Sequence, residues 1–155
     1  MKIPNYDINQ KKSSKRRLND FLDKDFRMLI AAGQTRCGKT NTLMHILRTP
    51  LVYYYKIYIF SPNHRQDKLQ DFQKLMEKFS EKVGYPILEI GGENDIPNTN
   101  EYPINNRKVV VFDDLVNANN KIQNKIVNHF TGGRHHKISP IYLTQSYFNV
   151  PQKLR

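Results

Sequence analysis

The sequence lacks several features of secreted and membrane proteins. Its 155 residues include a single cysteine, Cys37, so no intramolecular disulfide can form, which fits a reducing, intracellular setting. No run approaches the roughly 18 apolar residues that a membrane-spanning helix needs. The first ten residues contain no apolar block of the kind found in a secretory signal peptide. We therefore expect neither a disulfide-stapled secreted domain nor a membrane span.

Acidic residues are also scarce. Fourteen Asp and Glu stand against 25 Lys and Arg, which gives a formal net charge of +11, and residues 131–155 contain no acidic residue. A charge of this size favours polyanionic partners, nucleic acid first and an anionic membrane surface second. The alternative is a basic surface that only keeps the protein soluble. In either case the charge carries no information about base sequence.

The length suits one domain, preceded by a basic segment. Residues 1–24 include five Lys and Arg between positions 11 and 17, next to two serines. This cluster can contact nucleic acid, act as a nuclear address or remain a solvated arm. We assign the remaining residues, 25–155, to this single domain.

Strand-like and helix-like segments alternate along this domain. Short apolar runs predict strands at 28–32, 55–60, 86–90, 109–112 and 141–143. Helical spacing of apolar residues predicts helices at 39–48, around 69–79 and around 122–130. The last helix is expected to end at Gly132-Gly133 in the left-handed conformation, and residues 93–107 are predicted as loop. This alternation predicts an α/β fold with a mostly parallel sheet, helices on both faces, and a ligand site at the carboxyl ends of the strands.

A complete phosphate-binding motif, G-x-x-x-x-G-K-[ST], lies between the first predicted strand and the first predicted helix. Its eight residues are Gly33, Gln34, Thr35, Arg36, Cys37, Gly38, Lys39 and Thr40. The glycines let backbone N–H groups point inward around phosphate oxygens, and the positive end of the helix adds to the attraction. We expect Lys39 to reach the β- and γ-phosphates and Thr40 to ligate Mg²⁺. A glycine-rich turn without a ligand is the alternative.

Two carboxylates follow the strongest predicted strand, at 109–112. Asp113 is placed to hold Mg²⁺ through its water shell, because Mg²⁺ prefers oxygen ligands and retained waters. Asp114 is placed to orient or deprotonate the attacking water. The alternative is a strand-end turn in which Asp acts only as a cap.

Two further candidates lie near the last predicted strand. Gln145 follows that strand and is interpreted as a sensor of the γ-phosphate. The alternative is a strand-end hydrogen bond to a neighbouring loop. Arg134 can neutralise charge in phosphoryl transfer, either within the subunit or from a neighbouring one. An ordinary DNA-phosphate or surface contact is the rival interpretation of Arg134.

These motifs resemble those of the viral genome-packaging ATPases of the HerA–FtsK superfamily, of the poxvirus type, which also occur in giant viruses, virophages and Maverick/Polinton elements. The resemblance covers roughly residues 26–155 and rests on GQTRCGKT, VVVFDDL and the block GRHHKISPIYLTQSYFNVPQKLR. It implies an ASCE-type RecA-like P-loop core that uses ATP and Mg²⁺ to pump double-stranded DNA into a capsid. It also implies a homo-oligomeric ring, often a hexamer, contacts with capsid or portal proteins, and a place in a viral factory, virion, or host nucleus or cytoplasm.

The resemblance also carries roles for individual residues. Lys39 and Thr40 correspond to the phosphate and Mg²⁺ ligands, Asp113 with Asp114 to the metal and water residues, Gln145 to the sensor glutamine and Arg134 to an arginine finger. The sequence stops shortly after the sensor strand, at a point where similar proteins continue, so a C-terminally incomplete domain is expected.

Three functions remain open from the sequence. The first is an ATPase motor that translocates DNA. The second is a different P-loop enzyme, such as a nucleotide kinase. The third is an inactive nucleotide-binding remnant that acts only as a DNA-binding or assembly module.

Overall fold

Five strands pair in parallel to form a single sheet. The computed structural model describes residues 26–31, 38–48 and 54–154. The strands are β1 (Met28–Ala31), β2 (Lys56–Phe60), β3 (Leu88–Gly91), β4 (Lys108–Asp113) and β5 (Ile138–Thr144). Their order across the sheet is β1-β5-β4-β2-β3, and every adjacent pair is parallel. The predicted α/β fold with a parallel sheet is thereby confirmed.

Helices cover both faces of this sheet. They are α1 (Lys39–Arg48), α2 (Asp67–Val83) and α3 (Asn120–Gly132). α1 and α2 pack on one face, here called the α1/α2 face, through residues such as Leu43 and Leu69. α3 packs on the opposite one, the α3 face, through residues such as Ile126. None of these described helices is both long and apolar enough to cross a membrane.

The strands contribute side chains alternately to the two faces, as the period of two in a strand requires. In β4, Val109 and Val111 point to the α1/α2 face, whereas Val110 and Phe112 point to the α3 face. All six residues of β4 are buried. A strand that is covered on both sides reads as a continuous apolar run rather than an alternating one, which explains why this was the clearest strand in the sequence.

The connection from β3 to β4 crosses the α3 face. Apart from a short 3-10 turn at Glu93–Asp95 it has no regular structure, so the loop prediction is confirmed in outline. It nevertheless buries Ile96 and Tyr102 against the sheet. A loop that is packed in this way must satisfy its backbone carbonyls within the protein.

Three lysines supply donors to this connection. The Nζ atoms of Lys125, Lys108 and Lys137 donate to the carbonyl oxygens of Ile96, Pro103 and Asn105, respectively. Lys108 is almost fully buried and also donates to the carbonyl of His136 at 2.7 Å. Burial, and secondarily the charge of Lys137, lowers the pKa of Lys108 to about 8. The connection is therefore held to the sheet by side chains of other elements.

The prediction that α3 ends in a left-handed glycine is wrong. Gly132 and Gly133 both have right-handed backbone angles, and the chain continues into a 3-10 turn at Gly133–His136, called the 133–136 turn below. The left-handed residue is Lys137, with φ of 56°. Gly133 instead lies in a tightly packed position, because a Cβ atom there would lie 3.2 Å from the Cβ of Ile138.

The last strand is also longer than predicted. β5 starts at Ile138 rather than at position 141, and it includes Pro140. Proline has no backbone N–H and is normally excluded from the middle of a sheet. Here β1 begins to pair with β5 only at Ile141. In the described sheet Pro140 therefore has a neighbouring strand, β4, on one side only.

Candidate nucleotide-binding site

A cleft of about 520 Å³ opens at the carboxyl ends of the strands. The first turn of α1 and the segments that follow β2, β4 and β5 form it. The described lining residues are Gly38, Lys39, Thr40, Ser61, Asn63, Gln66, Asp67, Lys68, Asp113, Asp114 and Gln145. The structure thus brings together three groups of predicted site residues that lie far apart in the sequence.

The phosphate-motif side of the cleft carries positive electrostatic features. Gly38 has φ of 94°, a conformation that favours glycine, and α1 begins directly after it. The first hydrogen bond of the helix runs from Thr42 N–H to the Gly38 carbonyl, so the amides before Thr42 have no partner within the helix. The first turn contains no acidic residue, and Lys39 lines the cleft beside it. Amides without a partner in their own helix, a positive helix end and a lysine are together suited to a phosphate group.

The first five residues of the motif, Gly33, Gln34, Thr35, Arg36 and Cys37, lie outside the described residues. Their proposed cofactor-binding role remains a prediction.

Asp113 is a buried carboxylate at the end of β4. Its residue is 6% exposed, and the Ser61 hydroxyl donates to Oδ2 at 3.4 Å. Burial raises the pKa of Asp113, and the charge of Asp114 raises it further, while Lys39 and hydrogen bonds from Ser61 and Gln66 oppose these effects. A bound cation would favour the ionised form of such a carboxylate.

The oxygen atoms beside Asp113 suit a hard cation. Thr40 lines the same cleft as Asp113, and the Ser61 hydroxyl already donates to the Asp113 carboxylate. Carboxylate and hydroxyl oxygens, completed by waters, are what Mg²⁺ accepts in phosphate-transfer sites. The described residues therefore fit the magnesium ion that the phosphate motif implies.

Asp114 is held by two hydrogen bonds, one to β5 and one to the residue that follows it. Its backbone N–H donates to the Leu143 carbonyl at 3.0 Å, and the Gln145 amide Nε2 donates to its Oδ2 at 2.9 Å. Its φ of 55° lies in the left-handed region, which Asp tolerates better than most residues. The turn directs this half-buried carboxylate into the cleft beside Asp113. This hydrogen bond joins the residue predicted to act on the attacking water, Asp114, to the residue predicted to sense the γ-phosphate, Gln145.

Five cleft residues after β2 were missed by sequence reasoning: Ser61, Asn63, Gln66, Asp67 and Lys68. Ser61 is 1% exposed and accepts a hydrogen bond from the Asn63 N–H at 3.2 Å while it contacts Asp113. Gln66 also hydrogen-bonds Asp113. The rule that polar residues after parallel strands lie at the ligand site applies to β2 as well as to β4 and β5. Extending it to the second strand would have found Ser61.

Arg134 lies outside the cleft. It is exposed on the 133–136 turn, which precedes β5, whereas Gln145 follows β5. The seven residues of β5 span about 20 Å at about 3.3 Å per residue, so Arg134 does not reach the cleft of its own chain. The position is compatible with a role in a neighbouring subunit or with a contact to DNA.

Comparison with known protein families gives one result. A family model described as Poxvirus A32 protein matches residues 13–155, which is 143 of the 155 residues. No curated protein sequence and no solved structure matches the chain. The matched range contains every residue that lines the cleft.

Proposed function

The chain belongs to the poxvirus A32 protein family, a family of viral genome-packaging ATPases, and we propose on that premise that it is an ATP-hydrolysing motor that moves double-stranded DNA into a capsid. The observation that carries the proposal is the hydrogen bond between Gln145 and Asp114 at the edge of the cleft. It joins a candidate catalytic carboxylate to a candidate phosphate sensor, an arrangement that a passive nucleotide-binding module would not need.

Lys39 and the amides at the start of α1 would hold the β- and γ-phosphates of ATP. Thr40 and Asp113 would hold Mg²⁺, which when bound neutralises charge on the phosphate oxygens. Ser61 contacts Asp113 directly, so its hydroxyl fixes the orientation of that carboxylate and favours its ionised form. With Thr40 and Asp113 as the proposed metal ligands, the Asp114 carboxylate is available for the attacking water.

Asp114 would orient the attacking water and accept its proton at a carboxylate oxygen. The Gln145 amide holds Oδ2 of this carboxylate, and the same residue lines the cleft with Lys39. A displacement of Gln145 by the γ-phosphate would therefore change the position of Asp114 through a single hydrogen bond. In this way Gln145 would couple the presence of the γ-phosphate to hydrolysis.

Arg134 would act between subunits of a homo-oligomeric ring. It is exposed and lies near the amino ends of the strands, so it can enter the cleft of a neighbouring copy but not its own. A guanidinium supplied by a neighbour would neutralise charge that develops during phosphoryl transfer. We place such a ring on double-stranded DNA, at a capsid or its portal, in the virus factory, virion, nucleus or cytoplasm of an infected cell.

ATPase activity with and without double-stranded DNA tests the proposal. We expect Lys39→Ala to abolish nucleotide binding, measured by fluorescence of a labelled ATP analogue. Asp114→Asn should retain binding but lose turnover by about 10²–10⁴-fold, the contribution of a positioned acid–base group. Asp71→Asn is the matched control, because Asp71 is an exposed carboxylate on α2. Turnover in both site variants equal to that of the parent would overturn the mechanism.

The same preparation distinguishes the other functions. Binding of ATP without turnover, with DNA present and at concentrations that form rings, would favour an inactive binding or assembly module. Phosphate transfer to an added mononucleotide, detected in a coupled assay, would identify a nucleotide kinase instead.

A further inference from the structure

The second half of the domain contains a long stretch without acidic residues. Residues 115–155 include no Asp or Glu but six Lys and Arg. The structure folds much of this stretch onto the α3 face. α3 packs there, and so do Val150 and Leu154 of the segment after β5, which share a buried cluster with Ile122. The stretch without carboxylates in the sequence therefore forms much of one side of the domain, the α3 face.

The outward side of α3 presents polar residues at helical spacing. Its exposed members are Asn120, Lys121, Asn124, Asn128 and Thr131. Lys153 is exposed on the adjacent 3-10 turn at Gln152–Leu154. We call these six residues the α3 surface. It carries two cationic side chains and four neutral hydrogen-bonding ones.

The helix on the opposite face has a different surface. α2 exposes four lysines, but it also exposes the acidic residues Asp67, Asp71, Glu77 and Glu81. One of these, Asp71, lies 3.7 Å from Lys74. A mixed surface of this kind neutralises itself and repels phosphate at each carboxylate. Both α2 and α3 expose lysine, so the two surfaces differ in their exposed acidic residues, which only α2 has among these two helices.

We propose that the α3 surface contacts the phosphate backbone of duplex DNA. The inference rests on the proposed function and adds which side of the domain faces the DNA. Lysine provides charge, while asparagine and threonine provide neutral hydrogen bonds, and all three residue types commonly bind DNA phosphates. The flank of this surface is formed by the connection from β3 to β4, where Glu101 interacts with Lys125. The DNA therefore lies over α3 itself rather than over that connection.

The test measures how DNA binding depends on salt. The full chain, without nucleotide, is titrated with a labelled duplex of mixed sequence at several salt concentrations, using fluorescence anisotropy. The test variant combines Lys121→Ala with Lys153→Ala, and the matched control combines Lys74→Ala with Lys78→Ala on α2. All four lysines are exposed, and both variants remove the same charge and keep the basic segment 1–24.

We expect the test variant to reduce the slope of log K against log salt by about 1.8, about 0.9 for each lost phosphate contact. The α2 control should keep the parent slope. The charge-preserving pair Lys121→Arg and Lys153→Arg should restore it. Thermal unfolding of every variant verifies that the exposed substitutions leave the fold intact.

Each other outcome has a distinct meaning. If the parent binds DNA and the α3 and α2 variants show the same slope, the inference is overturned and the proposed motor function stands. If the parent does not bind duplex DNA at any salt concentration, the proposed function itself fails.

Discussion

The two faces of the sheet are built from different kinds of side chain. The α1/α2 face is mainly aliphatic, with residues such as Ile57, Ile59 and Leu69 at its centre. The α3 face is rich in aromatic residues, among them Phe112 and Tyr142, and it also encloses the imidazole of His129. One sheet therefore separates a mainly aliphatic core from a core that encloses aromatic rings and an imidazole.

The covering elements explain this difference. Two amphipathic helices cover the α1/α2 face, and a helix satisfies its own backbone groups. One helix, an irregular connection and the segment after β5 cover the α3 face, and the connection needs donors and acceptors from elsewhere. His129 illustrates the solution: its Nδ1 pairs with the Lys125 carbonyl at 2.7 Å and its Nε2 with the Tyr102 hydroxyl at 3.1 Å. The α3 face should therefore respond to pH as well as to loss of packing.

The largest expected effect is loss of packing at Phe112. This residue is fully buried, and its ring contacts those of Phe60, His129 and Phe130. Phe112→Ala should lower the free energy of unfolding by about 3–5 kcal/mol, measured by urea denaturation. Phe79→Ala is the control because Phe79 is 47% exposed on α2, and it should change stability much less. Equal losses in the two variants would mean that the aromatic cluster is not the centre of the α3 face.

The next effect is a loss of stability in mild acid that belongs to the α3 face. Burial lowers the pKa of His129 to about 4, against about 6.5 in the unfolded chain. Between these values the unfolded state binds the proton and the folded state does not, so stability falls as pH decreases from about 6.5 to 4. The contribution of His129 should fall by about 2 kcal/mol between pH 7 and pH 5, measured by urea denaturation at both values.

The control for this pH effect is His129→Gln, which replaces the imidazole with an amide that donates and accepts hydrogen bonds but does not titrate. We expect it to be less stable than the parent at pH 7 and to lose less stability on acidification. His45→Gln is the matched variant, because His45 is exposed on α1, and it should keep the full pH dependence of the parent. A parent whose stability is unchanged between pH 7 and pH 5 would show that His129 stays solvated.

The α1/α2 face and most of the site were predictable from the sequence. Periodic apolar residues identify amphipathic helices, and the phosphate motif identifies a strand, a turn and a helix together. Asp113, Asp114 and Gln145 were recognisable because each follows an apolar run, and parallel strands bring their carboxyl ends to one edge. Their roles in catalysis stay predictions, but their assembly around one cleft is observed.

The α3 face was less predictable because its determinants are long-range. Nothing local in the sequence shows that Lys108 is buried or that it donates to carbonyls of Pro103 and His136. Likewise, Gly133 suggested a left-handed helix end, whereas the structure shows a right-handed residue closely approached by Ile138. A glycine in a sequence indicates an unusual requirement but does not say whether that requirement is a backbone angle or space.

The smallest expected effect compares the starts of the two longer helices. Asn119 caps α3, since its Oδ1 accepts from the Ile122 N–H at 3.0 Å, whereas Gln66 at the start of α2 makes no such bond. Asn119→Ala should cost about 1 kcal/mol in unfolding free energy. The control is Asn124→Ala, at an exposed position within α3 that caps no helix end, and it should cost less. Equal costs would show that the α3 cap contributes nothing specific.

Asn119→Asp separates stability from DNA binding at the same position. Aspartate caps a helix about as well as asparagine and its charge favours the positive helix end, so stability should match or exceed that of the parent. The same carboxylate stands at the edge of the acid-free α3 surface, next to Asn120 and Lys121, and should weaken duplex binding at low salt. If the variant is as stable as the parent but binds DNA more weakly, folding tolerates an aspartate at this position and DNA binding does not. The absence of acidic residues on the α3 surface would then be explained by DNA binding rather than by the stability of the fold.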